Sequence, residues 1–353
     1  MTTIVVSSTM PYSGKSGVCI ALIKELEKRG RTVGYFKPYG TMPAIEDGVE
    51  TDMDAAYVNR LLAVPGPVEA VCGVVRTRTF IEDVLAGRVG DLKGRVHEAF
   101  EKAGQGRDVV IVEGPSDISQ GMAVGLSLCD VTKALDGQVL LVEKVTGLVV
   151  PDALLHARDC LGSRLVGAVY NHVRESDRPS VTAQTGPFLE SRGVRFFGTL
   201  AADPMLSSVT VEEIVGALGG TVLTADDRLE ENVESFMVGA MGQEKALRFF
   251  RRKANKAVIT GGDRSDVQLA ALETSTRAVI LTGNLPPSSL VLARADQQGV
   301  PMIMVDMDTL TAVERLEALM GRVRLHGPGK ADRIRDIFAE GVRVDELLAA
   351  FGV

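Results

Sequence analysis

Gly14, Lys15 and Ser16 follow one another directly after a polar loop, and that loop follows a β-rich apolar run beginning at Ile4. An amphipathic segment reaching Gly30 comes next, so the order is strand, loop and helix. Backbone N–H groups at a helix N-terminus are unpaired and the helix dipole favours an anion there, so a lysine and a hydroxyl at that point read as a phosphate site. In the standard loop, G-x-x-x-x-G-K-[ST], glycines let the backbone wrap phosphate, the lysine reaches the outer oxygens and the hydroxyl ligates Mg²⁺. Thr9 stands where the first glycine belongs, so the strict pattern fails while its second half is intact. The plain alternative is a surface Gly-Lys-Ser turn without a ligand.

Mg²⁺ needs further oxygen ligands, and the carboxyl ends of strands facing the loop are where they should sit. Glu113 ends the apolar run in "DVVIVEGPSD", and Asp52 and Asp54 lie in "ETDMDAAYV". Asp52 would serve equally as a helix N-cap and Asp54 as a first-turn partner of the dipole. Lys37, in "GYFKPYG", ends the second apolar run just before a proline and brings another cation to the same edge. There it can screen charge developing in phosphoryl transfer or simply be solvated.

These residues need a parallel sheet to bring them together. Apolar β-rich runs alternate with amphipathic helical segments, the pattern of an α/β fold with a mostly parallel sheet. Strands are expected near 3–8, 32–36, 108–113, 138–143, 164–170 and 195–199, with helices near 15–29, 52–63, 94–104, 151–161 and 180–192. A break at Asp203-Pro204 separates a first domain, 1–204, from a smaller α/β domain, 205–353, with strands near 233–238, 256–260, 277–282 and 301–305. Two short helices after a Gly-Pro-Gly loop, 327–329, form its tail.

The formal charge of −7 over 353 residues, without a long basic run, argues against nucleic acid. The apolar stretch from Val139 to Leu155 is broken by Glu143, Lys144 and Asp152, short of the roughly 20 residues a membrane span needs. Four dispersed cysteines, Cys19, Cys72, Cys129 and Cys160, are expected to be reduced thiols of a cytoplasmic protein. His97, His156, His172 and His326 show no metal-ligand spacing. Ser116 in "GPSDISQG" lacks the glycine of a nucleophile elbow, and no G-x-G-x-x-G follows the first strand.

"SSTMPYSGKS", "GYFKPYG", "DMDAA", "VVIVEGP" and "VGAVYNHV", in that order, resemble dethiobiotin synthetase and the related amide-forming cobyrinic acid synthetases. The resemblance implies a P-loop NTPase-like domain using ATP and Mg²⁺. It implies a nucleotide held by Ser13, Gly14, Lys15, Ser16, Gly17 and, through the base, Asn171, with Ser16, Asp54 and Glu113 on the metal. Lys15 and Lys37 are then the catalytic lysines. "VITGGDRSDVQLAAL" and "AVILTGNLPPS" resemble the DRTGG domain, with Asn284 where a second glycine is expected. That succession is similar to the N-terminal region of long bacterial phosphotransacetylases.

Three functions are open at this stage. One is a nucleotide-responsive regulator whose second domain takes another small ligand, assembled as a homo-oligomer. The second is an ATP-dependent ligase activating a carboxylate or carbamate beside Lys37. The third is a scaffold that has lost its nucleotide, for which a Lys15 locked in a salt bridge would speak. Asp263 and Arg264 could contact the second ligand or pair with each other.

Overall fold

The structure is a computed structural model describing residues 1–145, 150–320, 327 and 329–353. His326 and Pro328, which figured in the expectations above, lie outside the described residues. The chain divides into two compact units, 1–202 with 331–353, and 203–330.

The first unit is built on β1 (Thr2–Ser7), β2 (Val33–Gly40), a hairpin of β3 (Pro43–Glu46) and β4 (Val49–Asp52), then β5 (Cys72–Val75), β6 (Val109–Glu113), β7 (Gln138–Lys144), β8 (Leu165–Val173) and β9 (Phe196–Ala201). Seven of these form one sheet in the order β5-β2-β6-β1-β7-β8-β9, with every pairing parallel. Ile4–Val6, Val109–Val112 and Val139–Val142 are continuous apolar runs with no exposed surface, as strands covered on both faces require. The covering helices are α1 (Lys15–Lys28), α2 (Met53–Arg60), α3 (Arg78–Leu85), α4 (Leu92–Gly104), α5 (Leu128–Ala134) and α6 (Asp152–Leu161). In α4 the buried Leu92, Val96, Phe100 and Ala103 recur at helical spacing and join one core with Phe36 and Val74. The chain leaves β1 toward β2 on one side and returns through β6 to β7 on the other. That divergence opens a crevice over the carboxyl end of β1.

Two expectations are corrected here. The C-terminal helices Lys330–Gly341 and Val344–Ala350, assigned by sequence to a second domain of 205–353, pack from residue 331 onward with the first unit. Val342 bridges Gly198 and the Arg343 N–H donates to the Phe197 carbonyl at 2.9 Å. A Cβ on Gly198 would fall 2.1 Å from the Gly341 carbonyl oxygen, so two glycines far apart in sequence permit the contact. An amphipathic pattern shows which face a helix buries but not which sheet receives it. Likewise Cys129 and Cys160, expected as separate thiols, form a disulfide, because α5 packs against α6 across a sequence separation of 31. Cys19 and Cys72 are free.

The second unit has β10 (Val209–Thr210), β11 (Thr221–Val222), β12 (Asn232–Val233), β13 (Ser235–Val238), β14 (Lys256–Gly261), β15 (Thr276–Thr282) and β16 (Met302–Met304). Its main sheet runs β11-β16-β15-β14-β13, parallel from β13 to β16 with β11 antiparallel at one edge. Helices Gln243–Phe250, Ser265–Leu272 and Ser289–Gln298 contribute Ala246, Val267 and Val291 to the core on one face, while Val211–Leu218 and Thr309–Met320 contribute Ile214 and Leu316 on the other. Among the described residues, no helix is long and apolar enough to cross a membrane.

Candidate functional site

The loop from Ser8 to Gly14 connects β1 to α1 at the carboxyl edge of the sheet. Gly14 caps α1 in the left-handed region, φ 88°, and a Cβ there would lie 2.1 Å from Asn171 Nδ2, so only glycine fits. No side chain caps α1 and no acidic residue sits in its first turn, which leaves its N–H groups facing the loop. Ser13 Oγ is buried without a hydrogen-bond partner among the described residues.

Lys15, the first residue of α1, is 8% exposed, and Nζ donates to Ser8 Oγ at 3.2 Å. Ser8 Oγ in turn can donate to the Ser116 carbonyl at 2.8 Å, tying the loop after β6 to the loop after β1. Burial lowers the Lys15 pKa, opposed by the charge of Glu113 and more weakly by Glu143. Among the described residues no carboxylate lies within ion-pair distance of it, so two of its three donors are uncommitted.

Lys37 is placed differently. Its Nζ lies 2.9 Å from Asp52 Oδ1 and 3.4 Å from Glu113 Oε1, and all three side chains are buried. Burial works against the ammonium, but Glu113, Asp52 and Asp54 more than offset it and hold the pKa well above its ordinary value. Asp52 also accepts from the Ala55, Thr41 and Met42 N–H groups, at 3.0, 2.8 and 2.9 Å, so it is the N-cap of α2. Burial pushes its carboxyl up, yet Lys37 and these donors bring it below the usual range. Glu113 accepts from the Tyr35 hydroxyl at 2.9 Å. Asp54 sits half-buried in the first turn of α2. Ser16 is half-buried and Gly17 buried in the first turn of α1. Among the described residues no three His, Cys, Asp or Glu side chains cluster as a metal cage. Mg²⁺ commonly takes one or two carboxylates, with phosphates and water completing its shell.

Asn171, from β8, donates through Nδ2 to the Ser13 carbonyl at 2.9 Å and accepts the His172 N–H through Oδ1 at 2.8 Å. Those bonds hold the exit of the loop. At its entry stands a residue the sequence reading passed over: Glu143 accepts the Thr9 N–H at 3.0 Å and the Thr9 hydroxyl at 2.6 Å. The signal was present, since "VLLVE" ends in a carboxylate just as "VVIVE" does at Glu113. Tyr35, on the same strand as Lys37, was missed as well.

In the second unit β14 and β15 are parallel neighbours, with Gly261 opposite Thr282, so the loops "TGGDRSD" and "TGNLPPSS" share one edge. Arg264 pairs with Asp266 at 3.1 Å rather than with Asp263, and donates to the Met241 carbonyl at 3.0 Å. Gln268 Nε2 donates to the Gly261 and Gly262 carbonyls at 2.9 and 3.0 Å. Asn284 takes φ 53°, a conformation asparagine tolerates better than most residues, where glycine was expected.

A parallel seven-stranded sheet with a lysine-bearing loop and helix N-terminus over its central strand defines a P-loop-type α/β protein, joined here to a smaller α/β unit. Residues 2–211 match the family model described as "AAA domain", and 213–319 match "DRTGG domain". The chain belongs to this AAA domain family and carries a DRTGG domain. It is similar to phosphate acetyltransferases of Pseudomonas putida (24% identity, 92% of this chain and 48% of that protein), Nitrosomonas europaea (23%, 100% and 52%) and Deinococcus radiodurans (26%, 96% and 50%). The chain thus spans about half the length of these curated relatives.

Proposed function

We propose that the first unit binds a nucleotide with Mg²⁺, ATP in the first instance, and that the chain works as a regulatory or sensing module related to part of a phosphate acetyltransferase. The observation that carries this reading is Lys15: a buried ammonium with a single hydroxyl acceptor, at an uncapped helix N-terminus and beside an orphaned serine hydroxyl. Burying a charge without a partner is costly, and a polyphosphate supplies the missing one. Ser13, Lys15, Ser16 and Gly17 would hold the phosphates against Gly14. Ser16, Glu113 and Asp54 would face the metal, and the second amide proton of Asn171 would remain for the base. Bound Mg²⁺ would screen phosphate charge at the sheet edge. The absence of an ion pair at Lys15 among the described residues speaks against the scaffold reading.

In the ligase reading Lys37 meets the anionic substrate. Here Asp52 and Glu113 already neutralise it, which supports the regulator over the ligase. The edge carrying Asp263, Arg264, Thr282 and Asn284 is proposed for the second small ligand, and a homo-oligomer as the working assembly. Titration calorimetry with MgATP and MgGTP tests the central claim. Lys15→Ala should weaken binding roughly 10- to 100-fold, the worth of hydrogen bonds to a charged group. Wild-type protein that binds neither nucleotide would end this reading. ADP release dependent on an added carboxylate or diamine would favour the ligase.

A further inference from the structure

We propose that Glu143 is a positioning residue that braces the entry of the phosphate loop through Thr9, and that filling the loop with a polyphosphate draws a proton onto this carboxyl. For its ligand the inference rests on the nucleotide reading above.

The geometry begins with strand register. β1 pairs with β7 as far as Ser7 opposite Leu141, and two residues further along each chain stand Thr9 and Glu143. The ladder has ended there, and two side-chain bonds take its place: Oε1 accepts the Thr9 N–H at 3.0 Å and Oε2 accepts the Thr9 hydroxyl at 2.6 Å. Glu143 is only 5% exposed. A loop that opens with glycine can take a turn by backbone freedom alone. Thr9 keeps clear of the left-handed region, and its place in the loop is fixed by the pair of bonds its N–H and hydroxyl make to Glu143. Asn171 does the same for Ser13, so strands β7 and β8 grip the two ends of the loop.

Among the described residues, the charged or titratable groups set against Glu143 are Lys15 from α1 and the Tyr170 hydroxyl from β8. β1 contributes none. Burial pushes the Glu143 carboxyl up to about 7, while the Thr9 bonds and Lys15 pull the other way. A polyphosphate at Lys15 adds negative charge nearby and takes up the ammonium that now offsets the carboxylate. Both changes favour the protonated over the ionised carboxyl. The protonated group still accepts the Thr9 N–H, so the brace survives the change.

The test is calorimetric titration of MgATP between pH 6 and 8, in buffers of different ionisation enthalpy, on wild type, Glu143→Gln and Glu143→Ala. Titration of the nucleotide itself is common to all three and cancels in the comparison. Relative to Glu143→Gln, wild-type affinity should fall by up to about tenfold per pH unit above 7, with up to one proton taken up on binding. Glu143→Ala should bind at least about tenfold more weakly throughout, the cost of one lost charge-assisted pair of bonds. Equal proton uptake in wild type and Glu143→Gln overturns the coupling. The brace is read separately, without nucleotide, from hydrogen exchange at the Thr9 amide. Exchange should be slow in wild type and Glu143→Gln and at least about tenfold faster in Glu143→Ala, and unchanged exchange in Glu143→Ala overturns it. Wild type that binds MgATP at no pH sinks the nucleotide reading and the coupling with it, while the exchange result still decides the brace.

Discussion

Replacing Lys37 by methionine removes the cation from a buried triad and keeps most of the stem. Taking one partner from a buried ion pair typically costs about 3–5 kcal/mol, because the remaining charge is left without compensation. Here Asp52 would retain its three backbone donors and Glu113 the Tyr35 hydroxyl, which places Lys37→Met near the lower limit, about 3 kcal/mol. With a urea slope of about 2–3 kcal/mol per molar, the midpoint should drop by about 1 M. The assay comes from the composition. The chain has no tryptophan, and its five tyrosines, Tyr12, Tyr35, Tyr39, Tyr57 and Tyr170, all lie in the first unit, so tyrosine fluorescence follows that unit alone. The sign with pH follows from Asp52. Its folded pKa is depressed, so the stability that Lys37 confers through it is present in full at pH 7 and is lost as pH falls through that folded value. The gap between wild type and variant should therefore stay nearly full down to about pH 4 and narrow only below it. A midpoint shift under about 0.3 M at pH 7, or a gap that fails to narrow between about pH 4 and about pH 2, would refute the triad as described.

Three further outcomes are expected. Glu143→Gln should raise the tyrosine-reported stability by about 1–3 kcal/mol at pH 8 and by little at pH 4.5. The reason is that a carboxyl raised to about 7 in the fold loses stability as pH climbs from its ordinary 4.5, and urea melts across that range check it. Lys15→Met should leave the unliganded first unit as stable as wild type or more so, while weakening MgATP binding roughly 10- to 100-fold. A clear loss of stability in the absence of ligand would mean that the ammonium is structurally satisfied. Gly262→Ala would place a Cβ 1.8 Å from the Leu285 carbonyl oxygen and should cost the second unit about 1–3 kcal/mol. Far-UV circular dichroism should show that loss while the tyrosine transition stays put.

Local order was legible in the chain itself. The run "IVV" before Gly14-Lys15-Ser16, the run "VVIVE", and the alternation of such runs with amphipathic segments were enough for a parallel sheet with a phosphate loop at its edge. Continuous apolar strands and unpaired helix N-termini are properties of a few consecutive residues, and a sequence displays them directly. The short elements were not legible. β5, the β3–β4 hairpin and the helix α3 lack a long periodic pattern, and an edge run such as "CGVV" is too brief to signal a strand.

What only the tertiary structure decided is which side chains meet. Lys37 and Lys15 look alike in sequence, each a lysine at a strand end or helix mouth, yet one is neutralised by Asp52 and Glu113 and the other is left short of acceptors. Thr9 and Glu143 are 134 residues apart, and Cys129 and Cys160 are 31 apart. The C-terminal helices reach the first unit through Gly198 and Gly341. Each of these depends on strand order and on close approach between distant backbones. Residue type and spacing along one chain carry no record of either, because the side-chain periodicities that shape an element leave its neighbours unspecified.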